Sequence, residues 1–364
     1  MAGKKQHFIP RLFVKYFSEN PETKNPKIWF YRYQKDPYSS GINDAPAKRY
    51  FYSYIEDDEI NHSLDDKITK YEERTIAPIL LQLQSSDVGQ QIDPILPAHL
   101  ISHLIIRNDH ARQFAANAIK NGLKTLKPNI CNKNNLKSAI LKDLQQPHGF
   151  FQSEVTEFIK EKFPFHTEFE INIIKNAVIL NIFNNNIDKV TEEIECYFNI
   201  AIDNIFSCNV NNLNNLINKK NKNIIEAPKI INSLKSFKWV MQKTDGYFVL
   251  PDCISVCREG SQYNSLILSS LDDIDTVYCP ISHNKMLIGS KTAETEVPEN
   301  INLIFAKNSW DFFISAFENK TNETLSKSMR EDAISQINRE IEDLAKNFSV
   351  DSVFLSNDNI NRHR

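Results

Sequence analysis

The chain has 364 residues, 41% hydrophobic and 24% charged, with a net charge of −3. That length supports a sizeable core, and the balance excludes a disordered chain and any overall attraction to nucleic acid or a membrane surface. No stretch reaches the roughly 18 consecutive apolar residues that span a bilayer, no signal-peptide core follows Met1-Ala2-Gly3-Lys4-Lys5, and six scattered cysteines read as free thiols of a cytoplasmic protein.

The opening stretch is Gln6-His7-Phe8-Ile9-Pro10-Arg11-Leu12-Phe13-Val14-Lys15-Tyr16-Phe17. Pro10 suits the first turn of a helix, and Ile9, Leu12, Phe13, Tyr16 and Phe17 fall on one apolar face. His7 and Arg11 stand at the mouth of that helix, where an anion is favoured. Lys27 to Tyr33 and Arg49 to Ser53 are aromatic and β-prone, an N-terminal strand pair. Asp65 to Gln84 reads as a helix with Ile68, Tyr71, Thr75, Ile79 and Leu83 on one stripe and a kink at Pro78. Pro97 to Leu126 reads as one long helix. Two helices are expected over 129–169, broken around Gln146 to Gly149, and a longer one over 170–206, interrupted at Asn184-Asn185-Asn186. Residues 209–223 are an Asn/Lys-rich loop.

Beyond Ser236 the character changes. Short strands are expected at 237–242, 247–250, 254–256, 276–280 and 301–305, with Asp245-Gly246 as a hairpin turn between the first two. Helices are expected at 309–319 and 323–347. The fold class is α+β: a predominantly helical middle, a small, mainly antiparallel C-terminal sheet and the N-terminal strand pair. Two lobes, 1–235 and 236–364, form one cooperative unit.

The opening Gln6-His7-Phe8-Ile9-Pro10 resembles the signature of a large, mostly bacterial family, domain of unknown function 4238 (DUF4238), whose members begin Gln-His-Tyr-Val-Pro before an aromatic-rich helix. Leu64 to Glu72 is similar to a family segment ending in a fixed glutamate. His103 to Arg112 resembles its Arg-Thr-Pro-x-x-Arg motif, with Arg107 matching and Asn108 and Asp109 replacing Thr and Pro. Trp239 to Val256 is similar to a strand–turn segment, although the proline after Asp252 is absent. Pro280-Ile281-Ser282 and Ile337-Asn338 resemble two further motifs. The resemblance covers most of the chain in pieces. It implies a fold relationship and places weight on Glu72, Arg107 and Asp252, but supplies almost no chemistry.

On the long helix, His99, His103, Arg107 and His110 share one arc. The pattern suits a phosphate-binding or acid–base cluster, or a half-buried polar stripe in which Arg107 pairs with Glu72. Arg107-Asn108-x-His110 invites comparison with the ribonuclease motif of HEPN domains, but the gap of two residues is too short. Pro251-Asp252 followed by His283-Asn284-Lys285 looks like a degenerate metal-dependent nuclease core, one acid short, with Glu259 as a candidate replacement. Cys253 and Cys257, without a second pair, are weak for zinc. Lysines at 124, 127, 133, 137, 142, 219, 220 and 222 are basic patches or simply soluble surface.

The reading assigns catalytic roles to His7, Arg107, His110 and Asp252, and substrate contacts to Arg11, Glu72, His103 and Arg112. The function expected is a cytoplasmic effector acting on nucleic acid or nucleotides, a nuclease-like toxin or antiphage-defence component. The alternative is a non-catalytic recognition or assembly protein whose motif residues form buried polar networks. RNA or DNA, or a partner protein of a defence operon, would be the partner, with no membrane. Mg²⁺ or Mn²⁺ is the cofactor such a nuclease would take, and the sequence sets neither the metal nor the oligomeric state.

Overall fold

Pro10 lacks the N–H that a helix start would leave unsatisfied, and it caps the first helix by accepting the N–H groups of Phe13 and Val14 on its carbonyl. The computed structural model describes residues 5–347 apart from 45, 57–58, 147–148, 163–166, 208–217, 220–225, 268, 270 and 293–295. Strand β1 (Lys5–His7) leads into α1 (Arg11–Val14), which tightens into a 3-10 turn over Lys15–Phe17. Then come β2 (Lys27–Arg32), β3 (Tyr38–Gly41), β4 (Ala47–Arg49), β5 (Tyr54–Glu56) and β6 (Glu59–Asn61). Helix α2 (Ser63–Tyr71) runs through a π turn at Glu72–Ile76 into α3 (Ala77–Ser85). Pro78 cannot donate to the carbonyl one turn earlier, and a wider π turn stands directly before its helix.

After β7 (Gln91–Ile92) come α4 (Ile95–Ile106), α5 (Asp109–Ile130), α6 (Lys133–Leu144), α7 (Phe150–Lys162), α8 (Glu168–Asn181) and α9 (Ile187–Ser207). The asparagine run lies in a second π turn, Ile182–Asn186, between α8 and α9. The C-terminal part holds α10 (Pro228–Leu234), β8 (Lys238–Lys243), β9 (Leu250–Pro251), β10 (Val256–Glu259), β11 (Gln262–Ser265), β12 (Thr276–Pro280), β13 (Lys285–Ser290), α11 (Ile301–Asn308), β14 (Phe312–Ser315), α12 (Lys320–Lys327) and α13 (Glu331–Asn347). This is an α+β protein with antiparallel pairing throughout its described sheets.

Two compact units emerge: Met1–Ala116 with Asn209–Asn338, and Asn117–Cys208 with Arg339–Arg364. In the first, a six-stranded sheet has the order β11-β10-β12-β13-β8-β7, and a four-stranded sheet the order β3-β2-β14-β9. Both sheets join strands from either side of residue 235. Phe8, Ile9, Phe13, Phe17, Trp239, Leu287 and Ile314 share one buried core. Gly289 sits opposite Trp239, and a Cβ there would lie 2.7 Å from the indole. In the second unit, Leu136 and Ala139 of α6 pack with Phe150, Phe151, Ile194 and Phe198. The break expected near 146–149 is present, and Asp143 crosses it by accepting the Phe150 and Phe151 N–H groups.

Five local expectations are corrected. Residues 301–305 are helical, because Ile301, Ile304 and Phe305 repeat at three and four and Ile304 bonds back to Asn300. Residues 312–315 form a strand between β2 and β9, so Phe312 to Ser315 follow the sheet rather than a helix. The second N-terminal strand ends at Arg49, and Tyr50 turns the chain with φ +55°. Asp245-Gly246 joins no hairpin: β8 pairs with β13 and β7, whereas β9 pairs with β14. The long helix 97–126 is two helices, parted at Arg107-Asn108. The 209–223 segment lies outside the described residues except Asn218 and Lys219. Among the described residues no helix is long and apolar enough to cross a membrane.

Candidate functional site

The opening motif works through its side chains and its backbone. Gln6 is buried and accepts the Tyr52 N–H on Oε1 at 2.6 Å, while its amide donates to Ser53 Oγ at 3.1 Å. That fixes the 50–53 turn and sends Tyr52 inward, where its hydroxyl donates to the Arg107 carbonyl at 2.7 Å. Arg107 ends α4, where the helix dipole favours a cation. Its guanidinium donates to the Tyr52 hydroxyl (3.1 Å) and the His7 carbonyl, and forms an ion pair with Glu72. Glu72, at the start of the π turn, also faces His103 Nε2 at 3.1 Å. The side chains of Arg107 and His103 are only 5% and 1% exposed, against 14% for Glu72.

One residue further on, a second cluster begins. Asn108 accepts the His110 N–H at 2.9 Å, which starts α5, and donates its amide to the Asp252 carbonyl. The Asp252 carboxylate accepts the N–H groups of Trp310 (2.9 Å), Asp311 (2.6 Å) and Phe312 (3.2 Å) and faces His110 Nδ1 at 3.0 Å. These donors enclose it, so its side chain is 3% exposed. Asp109 beside them pairs with Lys48 at 2.5 Å.

Arg112 is also inside. It donates to the Phe51 carbonyl (3.1 Å) and Asn218 Oδ1 (2.9 Å) and stacks 4.2 Å over the Phe51 ring, and burial lowers its pKa. His7 differs from the rest. Burial first, then the charges of Arg11, Arg107 and Lys5, lower its imidazole pKa from 6.5 to about 4. Its enclosed Nδ1 has no hydrogen-bond partner among the described residues.

Arg11 lies outside this network, donating to Asn43 Oδ1 at 3.1 Å. It lines a groove of about 330 Å³, with Leu12 and Lys15 on its own segment and Thr69, Glu72 and Glu73 on α2 and the π turn. Thus Glu72 belongs both to the buried network and to the groove. Beside it, Tyr71 donates to Glu226, which also holds His99 Nδ1 at 2.8 Å.

The structure therefore gathers Glu72, His103 and Arg107 with the His7 carbonyl, and separately His110 with Asp252. Because the helix breaks at Arg107-Asn108, the four-residue arc splits, and Arg107 and His110 serve different carboxylates. The elements of the nuclease-like stretch have other partners. Lys285 donates to the Gln84 and Ser86 carbonyls, His283 donates its N–H to the Tyr16 carbonyl, and Glu259 takes the Asn264 amide. Among the described residues, no group of three or more His, Cys, Asp or Glu is placed to hold a metal ion. The described cysteines are free thiols.

By sequence, Tyr52, Asn218 and Glu226 carry no role, and Asn108 falls inside a continuous helix. Asn108 carried a signal, since Asn before Asp-His is a helix-cap pattern. The others act through distant backbone or side-chain groups, which spacing does not reveal.

No curated protein and no solved structure matches the chain. Residues 5–357 match the family described as protein of unknown function (DUF4238). That span takes in the opening Gln6-His7 segment, the π-turn glutamate, the Arg107 helix end and the Asp252 turn, and the chain belongs to this family.

Proposed function

We propose that this is a recognition protein, in which the motif residues form a buried frame and the groove beside Glu72 receives the ligand. One observation carries the reading: Arg107 and Asp252 are almost wholly enclosed, and their polar atoms face groups of the same chain. A guanidinium or carboxylate so committed holds a structure together, and freeing it for substrate would leave a buried charge unpaired. The groove is at the small end of the range for small-molecule sites.

The test incubates wild type and Arg107→Ala with labelled RNA and plasmid DNA, in Mg²⁺, in Mn²⁺ and in EDTA. Intact nucleic acid in every lane, with Arg107→Ala strongly destabilised, is the expected result. Cleavage by wild type that a still-folded Arg107→Ala loses would overturn the reading.

His7 favours a second one, an effector acting on nucleic acid or nucleotides in a toxin or antiphage system. Its imidazole is neutral at pH 7 and lies within reach of the charges of Arg11 and Lys5. A neutral imidazole can accept a proton, and the cations beside it can meet a phosphate. For this reading, wild type cleaves RNA or DNA, and His7→Ala abolishes cleavage with its melting temperature unchanged.

A further inference from the structure

The groove carries charges of both signs on different elements. Arg11 and Lys15 come from the opening helix and its 3-10 turn, Glu72 and Glu73 from the π turn. Glu72 is already neutralised by Arg107. Arg11, Lys15 and Glu73, by contrast, form no ion pair among the described residues, although all three line one space. A groove whose opposite charges do not close on each other presents a dipole to whatever enters.

Building on the recognition reading, we propose that the groove binds a small zwitterion of the amino-acid type. Its carboxylate lies against Arg11 and Lys15, and its ammonium lies against Glu73 with Glu72 behind it. Leu12 and Ile42, which also line the groove, offer apolar contact to a side chain. A simple phosphate ester would bring its negative charge against Glu73, and a polyamine would bring its positive charge against Arg11 and Lys15. Only a ligand with both signs satisfies the two sides at once. Thr69 and the Asn43 side chain, itself bonded to Arg11, add neutral hydrogen-bonding groups at the same place.

Consecutive helical residues point in different directions, so two adjacent glutamates take different roles here: Glu72 turns toward Arg107 and His103 while Glu73 stays solvent-exposed at the groove.

The experiment is a calorimetric and thermal-shift screen of the full chain with the twenty L-amino acids and a set of dipeptides. Each hit is repeated in its N-acetyl and C-amide forms, and AMP and a short RNA are run alongside. At least one zwitterion is expected to bind, and blocking either end should weaken it about tenfold or more. Arg11→Ala and Glu73→Gln, both surface changes, should each weaken it similarly while leaving the ligand-free melting temperature unchanged. If no zwitterion binds, or if Glu73→Gln leaves affinity intact, the proposal fails. Binding of AMP or RNA that depends on Arg11 but not on Glu73 would reject the zwitterion yet keep the recognition reading. Cleavage of the RNA would reject both.

Discussion

Arg107 shows how one side chain can define a region. It neutralises Glu72, occupies the His7 carbonyl and meets the Tyr52 hydroxyl. Arg107→Ala strands a largely buried carboxylate, so about 3–5 kcal/mol of stability should be lost, read by denaturant unfolding. Arg107→Lys retains the charge but not the fork of donors, and should recover only part of that. His7 gives a pH signature. Its folded pKa, about 4, lies below the 6.5 of the free side chain. Between those values the unfolded chain binds more protons than the folded one, so stability falls as pH drops from 6.5 toward 4 and this contribution levels off below. His7→Gln should flatten that part of the melting-temperature profile, and an unchanged slope would show that His7 does not carry it. The opening motif was legible as important, but its use was not: Gln6 holds a turn through residues 52 and 53, and His7 contributes a carbonyl.

Among elements, strand β14 depends on Asp252, whose carboxylate gathers the three N–H groups leading into it. Asp252→Asn replaces one acceptor oxygen by a donor facing those amides and should cost about 2–3 kcal/mol, measured by chemical denaturation. Sheet packing is equally tight at Gly289. Gly289→Ala places a methyl against the Trp239 ring, and a loss of about 1–3 kcal/mol is expected in the same assay. Most helices of the first half were readable because long amphipathic periods leave little ambiguity. The exchange of helix and strand across 301–315 has a plain cause. Both segments are short apolar runs, and which one enters a sheet is decided by β2 and β9, far away in sequence. The break at Arg107-Asn108 was hidden because no Gly or Pro stands there, although the Asn cap marked it.

At the scale of the molecule, the sheets ignore the boundary that composition suggests at 235. β7 completes the sheet of β8, and β2 lies beside β14. Fragments 1–235 and 236–364 made separately should therefore each lack strand partners and show no cooperative melting by circular dichroism, whereas co-expression should restore a soluble complex. Two folded halves would refute this. The same threading governs the order of events during synthesis. β2 is made near the start, yet its neighbour β14 is completed only after residue 315 is added. At about 5–20 residues per second, the aromatic edge of β2 waits on the order of 10–60 s for its partner. Over that interval the ribosome-bound chain offers Ile28, Phe30 and Tyr31 without the sheet that later buries them. The nascent protein is thus most exposed to mispairing and to chaperones while it is still being translated, and a pause placed before β14 would lengthen that window.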